Sequence, residues 1–192
     1  MRVSRQKAAE NRERIIDAAG ALFRERGFDG IGVADIMNAA DLTHGGFYGH
    51  FNSKDDLTAQ ASQRAMARAA ANWRKVIADA PNDPYAALLG HYLSPRHRDD
   101  RGHGCFFAAL SGDAARCSES VRTAFAHGLE PLIEVVAKAV PARSKAVRRR
   151  KAVAAVAELV GALVLSRAVN DISLSNEILE AAHHELLDAV SR

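Results

Sequence analysis

Apolar residues recur at helical spacing along most of the chain, and runs of alternating β-branched residues are missing. Ile15, Ala19, Leu22 and Phe23 form the first stripe and predict a helix from about Ala8 to Arg26. Gly27 offers a left-handed stop, with Phe28 placed to pack back on the helix it follows. Val33, Ile36, Met37 and Ala40 mark a short second helix. Asp41-Leu42 then turns the chain, and Thr43 is a candidate cap for a third, very short helix carrying Gly45, Gly46, Phe47 and Tyr48. Ser53, with Asp55 and Asp56 behind it, opens a long helix that passes Trp73 and ends near Ala80.

Asp83 and Pro84 fit the cap and first position of the next helix. Residues 94–104 are polar and read as a loop. Cys105 to Ala115 reads as a further helix, and Ser118 caps another that Gly128 and Pro131 should kink or divide before Pro141 ends it. Two strong helices, about 143–169 and 174–190, close the chain. The layout is all-α, with a small N-terminal module joined to a larger bundle.

Composition sharpens this picture in a few places. The 192 residues are 48% hydrophobic, 26% charged and only 6% aromatic, the balance of a globular helical protein. A net charge of +3 is compatible with nucleic acid without requiring it. Basic residues gather ahead of the first apolar stripe (Arg2, Arg5, Lys7, Arg12, Arg14) and again at Arg148-Arg149-Arg150-Lys151, where a solvated helix face is the simpler reading. Two cysteines, Cys105 and Cys117, and a charged N-terminus without an apolar core point to a reducing cytoplasm. Ala152 to Val169 approaches the length of a membrane span, but Glu158 and Arg167 interrupt it, so a core or interface helix is expected and no membrane partner.

The informative stretch is Gly30 to Lys54. Phe47 and Phe51 can pin the third helix onto Ile36, Leu42 and the first helix. Thr43, His44, Gly46, Tyr48 and His50 then share the opposite face, short or polar-tipped residues that can approach a duplex closely. Lys54 stands at a helix start, where a cation and backbone N–H groups together favour an anion.

This stretch resembles the helix-turn-helix of the tetracycline-repressor (TetR) family. The resemblance rests on Thr43-His44-Gly45-Gly46-Phe47-Tyr48-Gly49-His50-Phe51, on Asn52-Ser53-Lys54, and on the preceding Arg-Ile-Ile-x-Ala-Ala-x-x-Leu-Phe-x-x-x-Gly-Phe. It covers roughly residues 12–57. It implies a three-helix DNA-binding domain, residues 1–53, and an effector-binding and dimerisation domain, residues 54–192, whose last two long helices pair across a two-fold axis. Thr43, Tyr48 and Lys54 would meet phosphates, His44, Gly45 and Gly46 would lie against base edges, and His50 would help fix the backbone contacts. Three departures stand out: Asp41 where Gly is usual in the turn, Gly32 at a cap where a hydroxyl is common, and the bare Gly46 and Gly49. Readout is therefore expected to rest on few base contacts and on DNA shape.

The apolar seams of the penultimate and last helices, Val156, Leu159, Val160 and Leu163 with Ile178, Leu179, Ala182 and Leu186, suit a four-helix dimer interface or, alternatively, an intramolecular core. Trp73, Leu88, Tyr92, Cys105, Phe106, Phe107 and Phe125 are the candidate effector pocket, with His91, His103 or His127 as polar handles. Cys105 opens a helix beside His103 and Arg101, so a reactive thiol competes with a small buried residue as its reading. Nucleophile–base pairs, phosphate loops and metal-ligand patterns are missing, so no enzyme, metal or cofactor is expected. The expected function is a homodimeric, ligand-responsive repressor of palindromic operator DNA, released by an unknown small-molecule effector. The alternative is a redox or electrophile sensor that uses Cys105.

Overall fold

A computed structural model of the chain describes residues 5–191. Its order is α1 (Arg5–Arg26), α2 (Val33–Ala39), a 3₁₀ helix (His44–Gly49), α3 (Lys54–Asp79), α4 (Pro84–Tyr92), α5 (Pro95–Asp99), α6 (Phe106–Ala114), α7 (Glu119–Ala139), α8 (Lys145–Ala168) and α9 (Ile172–Ser191). No strand occurs among the described residues, and no described helix is long and apolar enough to cross a membrane. The all-α layout read from the apolar spacing is present.

Local chemistry accounts for the helix ends. Gly27 has φ +77° and its N–H returns to the Phe23 carbonyl at 2.9 Å, closing α1. Phe28 then meets Phe23 edge-on at 5.1 Å. Asp41, the non-glycine residue with positive φ, takes the turn at φ 52° and accepts from Arg14 of α1 at 3.0 Å. Ser53 accepts from the Asp56 N–H at 3.0 Å, while Asp56 accepts from the Asn52 N–H, so the start of α3 is sealed from both sides.

Two expectations change. Residues 94–104 are not wholly loop, because Ser94 accepts from the His97 N–H and Pro95 starts the short helix α5. Of the kink or division expected at Pro131, division does not occur: α7 runs unbroken from Glu119 to Ala139, with Leu132, Ile133, Val135, Val136 and Ala139 beyond the proline in the core.

The centre of the molecule is the α3–α7 pair, the most extensive helix contact. Gly128 makes it possible: a Cβ there would stand 2.4 Å from the Met66 sulfur and 2.8 Å from its Cβ. Around this pair, α8 and α9 close one side, while α1, α2 and the 3₁₀ helix form a lobe against the first half of α3. Gly128→Val should therefore lower unfolding stability by about 2 kcal/mol through overpacking, measurable by urea denaturation. An unchanged midpoint would mean that the two helices have room to spare.

Candidate nucleic-acid interface and internal cavity

The N-terminal lobe is built around two phenylalanines. Phe47 and Phe51, one turn apart with ring centroids at 5.6 Å, are buried beneath the 3₁₀ helix together with Ile36 and Met37. Arg12 of α1 lies 4.9 Å over the Phe51 ring and donates to Gln60 of α3. With its inner side anchored, the segment presents Thr43, His44, Gly45, Gly46 and Tyr48 outward, and His50 stands half-buried at its end. Tyr48 is 73% exposed, more than any other large hydrophobic side chain among the described residues. Thr43 makes no capping bond with its side chain, contrary to the sequence reading, so its exposed hydroxyl is not spent on the helix.

Glycines 45 and 49 carry a message of their own. Neither has positive φ, and a Cβ built on either meets nothing within 4 Å. No contact inside the chain requires glycine there. Gly46 is in the same position apart from ordinary contact with Met37 and Thr43. Bare backbone on an exposed face is what close approach of an external surface demands.

Lys54, expected at an anion site, already has one partner inside the chain. Its ammonium donates to the Phe28 carbonyl at 2.6 Å, and the first turn of α3 is already supplied with the Ser53 hydroxyl and the carboxylates of Asp55 and Asp56. The backbone N–H of Asn52 and the side-chain amide of Gln60, both donating to it, hold the Asp56 carboxyl below its ordinary pKa, so that turn carries negative charge. The basic run of α1 is likewise partly used within the lobe, by Arg12 on Phe51 and Arg14 on Asp41, while Arg2 lies outside the described residues. The second run is a surface face: Arg149 pairs with Glu130, and Lys151 donates to the Ala189 carbonyl.

A cavity of about 500 Å³ lies between α1, α3 and the α4–α6 segment. Of the candidate pocket residues, Trp73, Tyr92, Cys105, Phe106 and Phe107 line it. Leu88 and Phe125 do not. Leu88 is fully buried in the core, and Phe125 stacks behind the wall, 5.8 Å from Phe106 and 5.4 Å from Phe107. His91 and His103 line the cavity, whereas His127 does not. The sequence reading missed the contribution of α1, where Ile16, Asp17, Gly20 and Arg24 complete the wall. Gly20 within an otherwise regular helix was the available signal.

His97, also missed, organises the cavity floor. Its Nδ1 lies 2.7 Å from the Tyr92 carbonyl, and its Nε2 accepts from the Cys105 N–H at 3.1 Å, which fixes the neutral Nδ1–H tautomer. Burial lowers its pKa, with Arg167 and His91 acting in the same direction and the Tyr92 carbonyl opposing. Arg167 of α8 donates to the carbonyls of His97 and Arg98 at 2.8 and 2.9 Å. The buried Arg98 side chain reaches Ser175 and Asn176 of α9.

The last two helices are also corrected. Val156, Leu159, Leu163, Leu179 and Leu186 are buried within the chain itself and offer no surface to a partner, because α8 and α9 pack on each other and on α4, α6 and α7. Val160, Ile178 and Ala182 are half-exposed. The apolar residues left open on the same helices are Val153, Val164 and Leu165 of α8 and Ile172 and Leu174 of α9. Cys105 caps α6, and its sulfur accepts from the Ala108 N–H at 3.5 Å. Cys117 sits beyond the far end of that helix, roughly 13 Å of helix axis away, too far for a disulfide in this fold.

An N-terminal lobe that displays a short, exposed helix after a tight turn has the layout of a helix-turn-helix. Residues 15–61 match the family model for bacterial regulatory proteins of the tetR family. The repressor DhaR of Mycobacterium sp. (strain GP1) is 30% identical over 112 residues, 58% of this chain and 56% of DhaR. The regulator AcrR of Shigella flexneri is 31% identical over 103 residues, 52% of this chain and 48% of AcrR. The chain thus spans about half the length of these two curated relatives. Among solved structures, the reduced form of Escherichia coli NemR superposes with a TM-score of 0.78 at 21% identity, covering 93% of this chain and 96% of NemR. A TetR regulator from Chloroflexus aurantiacus J-10-FL gives 0.76 at 24% identity, with 97% of each chain covered. Residues 15–61 thus carry the sequence pattern of that family, and the chain as a whole has the fold of its solved members.

Protonating His97 would break its bond from the Cys105 N–H, and burial also lowers the pKa of His91. The unfolded chain, with histidines near pKa 6.5, then takes up protons first. Stability is full above that pH and falls as pH drops through it. Melting temperature should decline between pH 7.5 and 5.5, and less steeply in His97→Asn. Equal slopes would show that His97 is not a buried neutral group.

Proposed function

We propose that the protein is a transcriptional repressor that binds palindromic operator DNA as a homodimer and is released by a small-molecule effector held in the cavity. Residues 1–53 serve as the reading domain and residues 54–192 as the effector and dimerisation domain, acting in the cytoplasm. The observation that carries the reading is the outward face of the 3₁₀ helix: an exposed Tyr48 and Thr43 beside glycines that no contact inside the chain requires. Thr43 and Tyr48 are suited to phosphate oxygens, His44 and the bare backbone of Gly45 and Gly46 to base edges, and His50 to fixing the segment. Lys54 adds positive charge near the backbone but is tied to Phe28. That DhaR and NemR are named as repressors favours repression.

Dimerisation is supported by the open apolar face of α8 and α9. Val153, Val164, Leu165, Ile172 and Leu174 are all at least 40% exposed, and with Val160 and Ile178 they form more apolar surface than one solvated helix pair needs. Two copies joined there would carry two reading heads, which must sit about 34–36 Å apart to meet successive major grooves. The test combines two variants. Gly45→Val, which the fold has room for, should keep the melting temperature yet weaken duplex binding about tenfold or more in fluorescence anisotropy. Leu165→Glu should shift sedimentation from dimer to monomer and abolish binding to two-fold-symmetric sites selected from random DNA. Full binding by Gly45→Val, or failure to select any symmetric site, would contradict the proposal.

A second reading rests on Cys105, whose thiol lines the cavity and receives a backbone N–H at the start of α6. In it, an oxidant or electrophile modifies Cys105 and releases DNA, with no help from Cys117. DNA release by such a reagent should disappear in Cys105→Ser; persistent release would eliminate this reading.

A further inference from the structure

One buried polar group in the cavity has no use inside the chain. The Tyr92 side chain is 1% exposed, yet its hydroxyl meets no hydrogen-bond partner. The Cys105 thiol beside it is a weak acceptor; burial above all, and then that thiol, drive the Tyr92 pKa well above 10, so the group is a neutral O–H donor. Such an orphan is costly unless something else accepts its proton. Tyr92 lines the cavity, with Trp73 edge-on at 5.4 Å.

The charges of the lining say what that acceptor belongs to. Asp17 is paired with Arg64 and Arg68, and Asp100 holds the ring and backbone N–H of His103 while its charge also acts on Arg24. Arg24 differs. Its Nε donates to the Gly102 carbonyl, its guanidinium lies 5.8 Å from the Phe106 ring centre, and it forms no ion pair among the described residues. Arg24 and Tyr92 line the same cavity, and the Arg24 guanidinium lies over Phe106, the residue that follows Cys105. Trp73, Phe106, Phe107, Met66 and Leu132 supply aromatic and apolar wall, beside the polar Asn72, His91, Arg96 and His97. An unpaired guanidinium, an unsatisfied donor and flat apolar walls match a ring that carries an acid group.

We propose that the cavity takes a small aromatic carboxylate, its ring between Trp73 and the Phe106–Phe107 wall and its oxygens accepting from the Tyr92 hydroxyl and the Arg24 guanidinium. The proposal rests on the reading of the cavity as the effector site and gives that site its ligand class. Because Arg24 belongs to α1, the same ligand touches the helix on which the reading lobe is built.

Calorimetric titration of the full chain with 2-naphthoate and with neutral 2-naphthamide tests it. The carboxylate should bind at least tenfold more tightly than the amide. Tyr92→Phe should weaken 2-naphthoate about tenfold while keeping or raising the melting temperature, since only an unpartnered hydroxyl is lost. Arg24→Gln should bring the acid and the amide to equal affinity. No binding of 2-naphthoate at millimolar concentration, equal affinities in the wild type, or Tyr92→Phe within twofold of wild type would each overturn the proposal. DNA release is read separately: 2-naphthoate that binds as described but leaves the protein on DNA would uphold the site's chemistry and refute the effector reading.

Discussion

The molecule depends on how the chain leaves α1. Gly27 takes a left-handed turn, and Phe28 is then held at every point available to it. Its ring sits 5.1, 6.3 and 6.4 Å from those of Phe23, Phe106 and Phe125. Its N–H donates to Asp113 of α6, and its carbonyl accepts from Lys54 of α3. One residue therefore joins the reading lobe to the body through aromatic contact and two hydrogen bonds to charged groups. Those bonds are stronger than neutral ones.

That anchorage gives the cavity its meaning. Arg24, three residues before Gly27, reaches across to the Gly102 carbonyl, so the wall of the cavity and the base of the reading lobe are the same helix. On the opposite side, His97 ties the cavity floor to Arg167 of α8, and Arg98 ties the same segment to α9. Residues 97–105 thus touch the lobe, the cavity and the helices with the open apolar face. An occupant that fits one arrangement of this segment better than another would bias all three, by no more than its difference in affinity for the two.

Much of this was legible in the residues. The helix order, the left-handed Gly27, the positive φ of Asp41 and the buried Phe47–Phe51 pair all follow from local patterns that act over a few positions. What failed was long-range. Lys54 reads as a free cation because nothing nearby in sequence pairs with it, yet its partner is a carbonyl 26 positions back. Leu159 and Leu163 read as a dimer seam because an apolar stripe does not say which neighbour covers it. The part of α1 in the cavity was hidden for the same reason, since Asp17, Gly20 and Arg24 look like an ordinary solvated flank. At Pro131 only the reading of a break falls away: α7 runs through it, with core residues beyond the proline.

The central claim is that this fold reads a specific DNA site as a dimer. A mobility-shift titration against the DNA flanking the protein's own gene, at two salt concentrations and with excess competitor duplex, addresses it most directly. The account predicts a discrete complex at dimer stoichiometry that survives competitor and weakens steeply with salt. Absence of any complex even at low salt, while the protein remains folded, would contradict it.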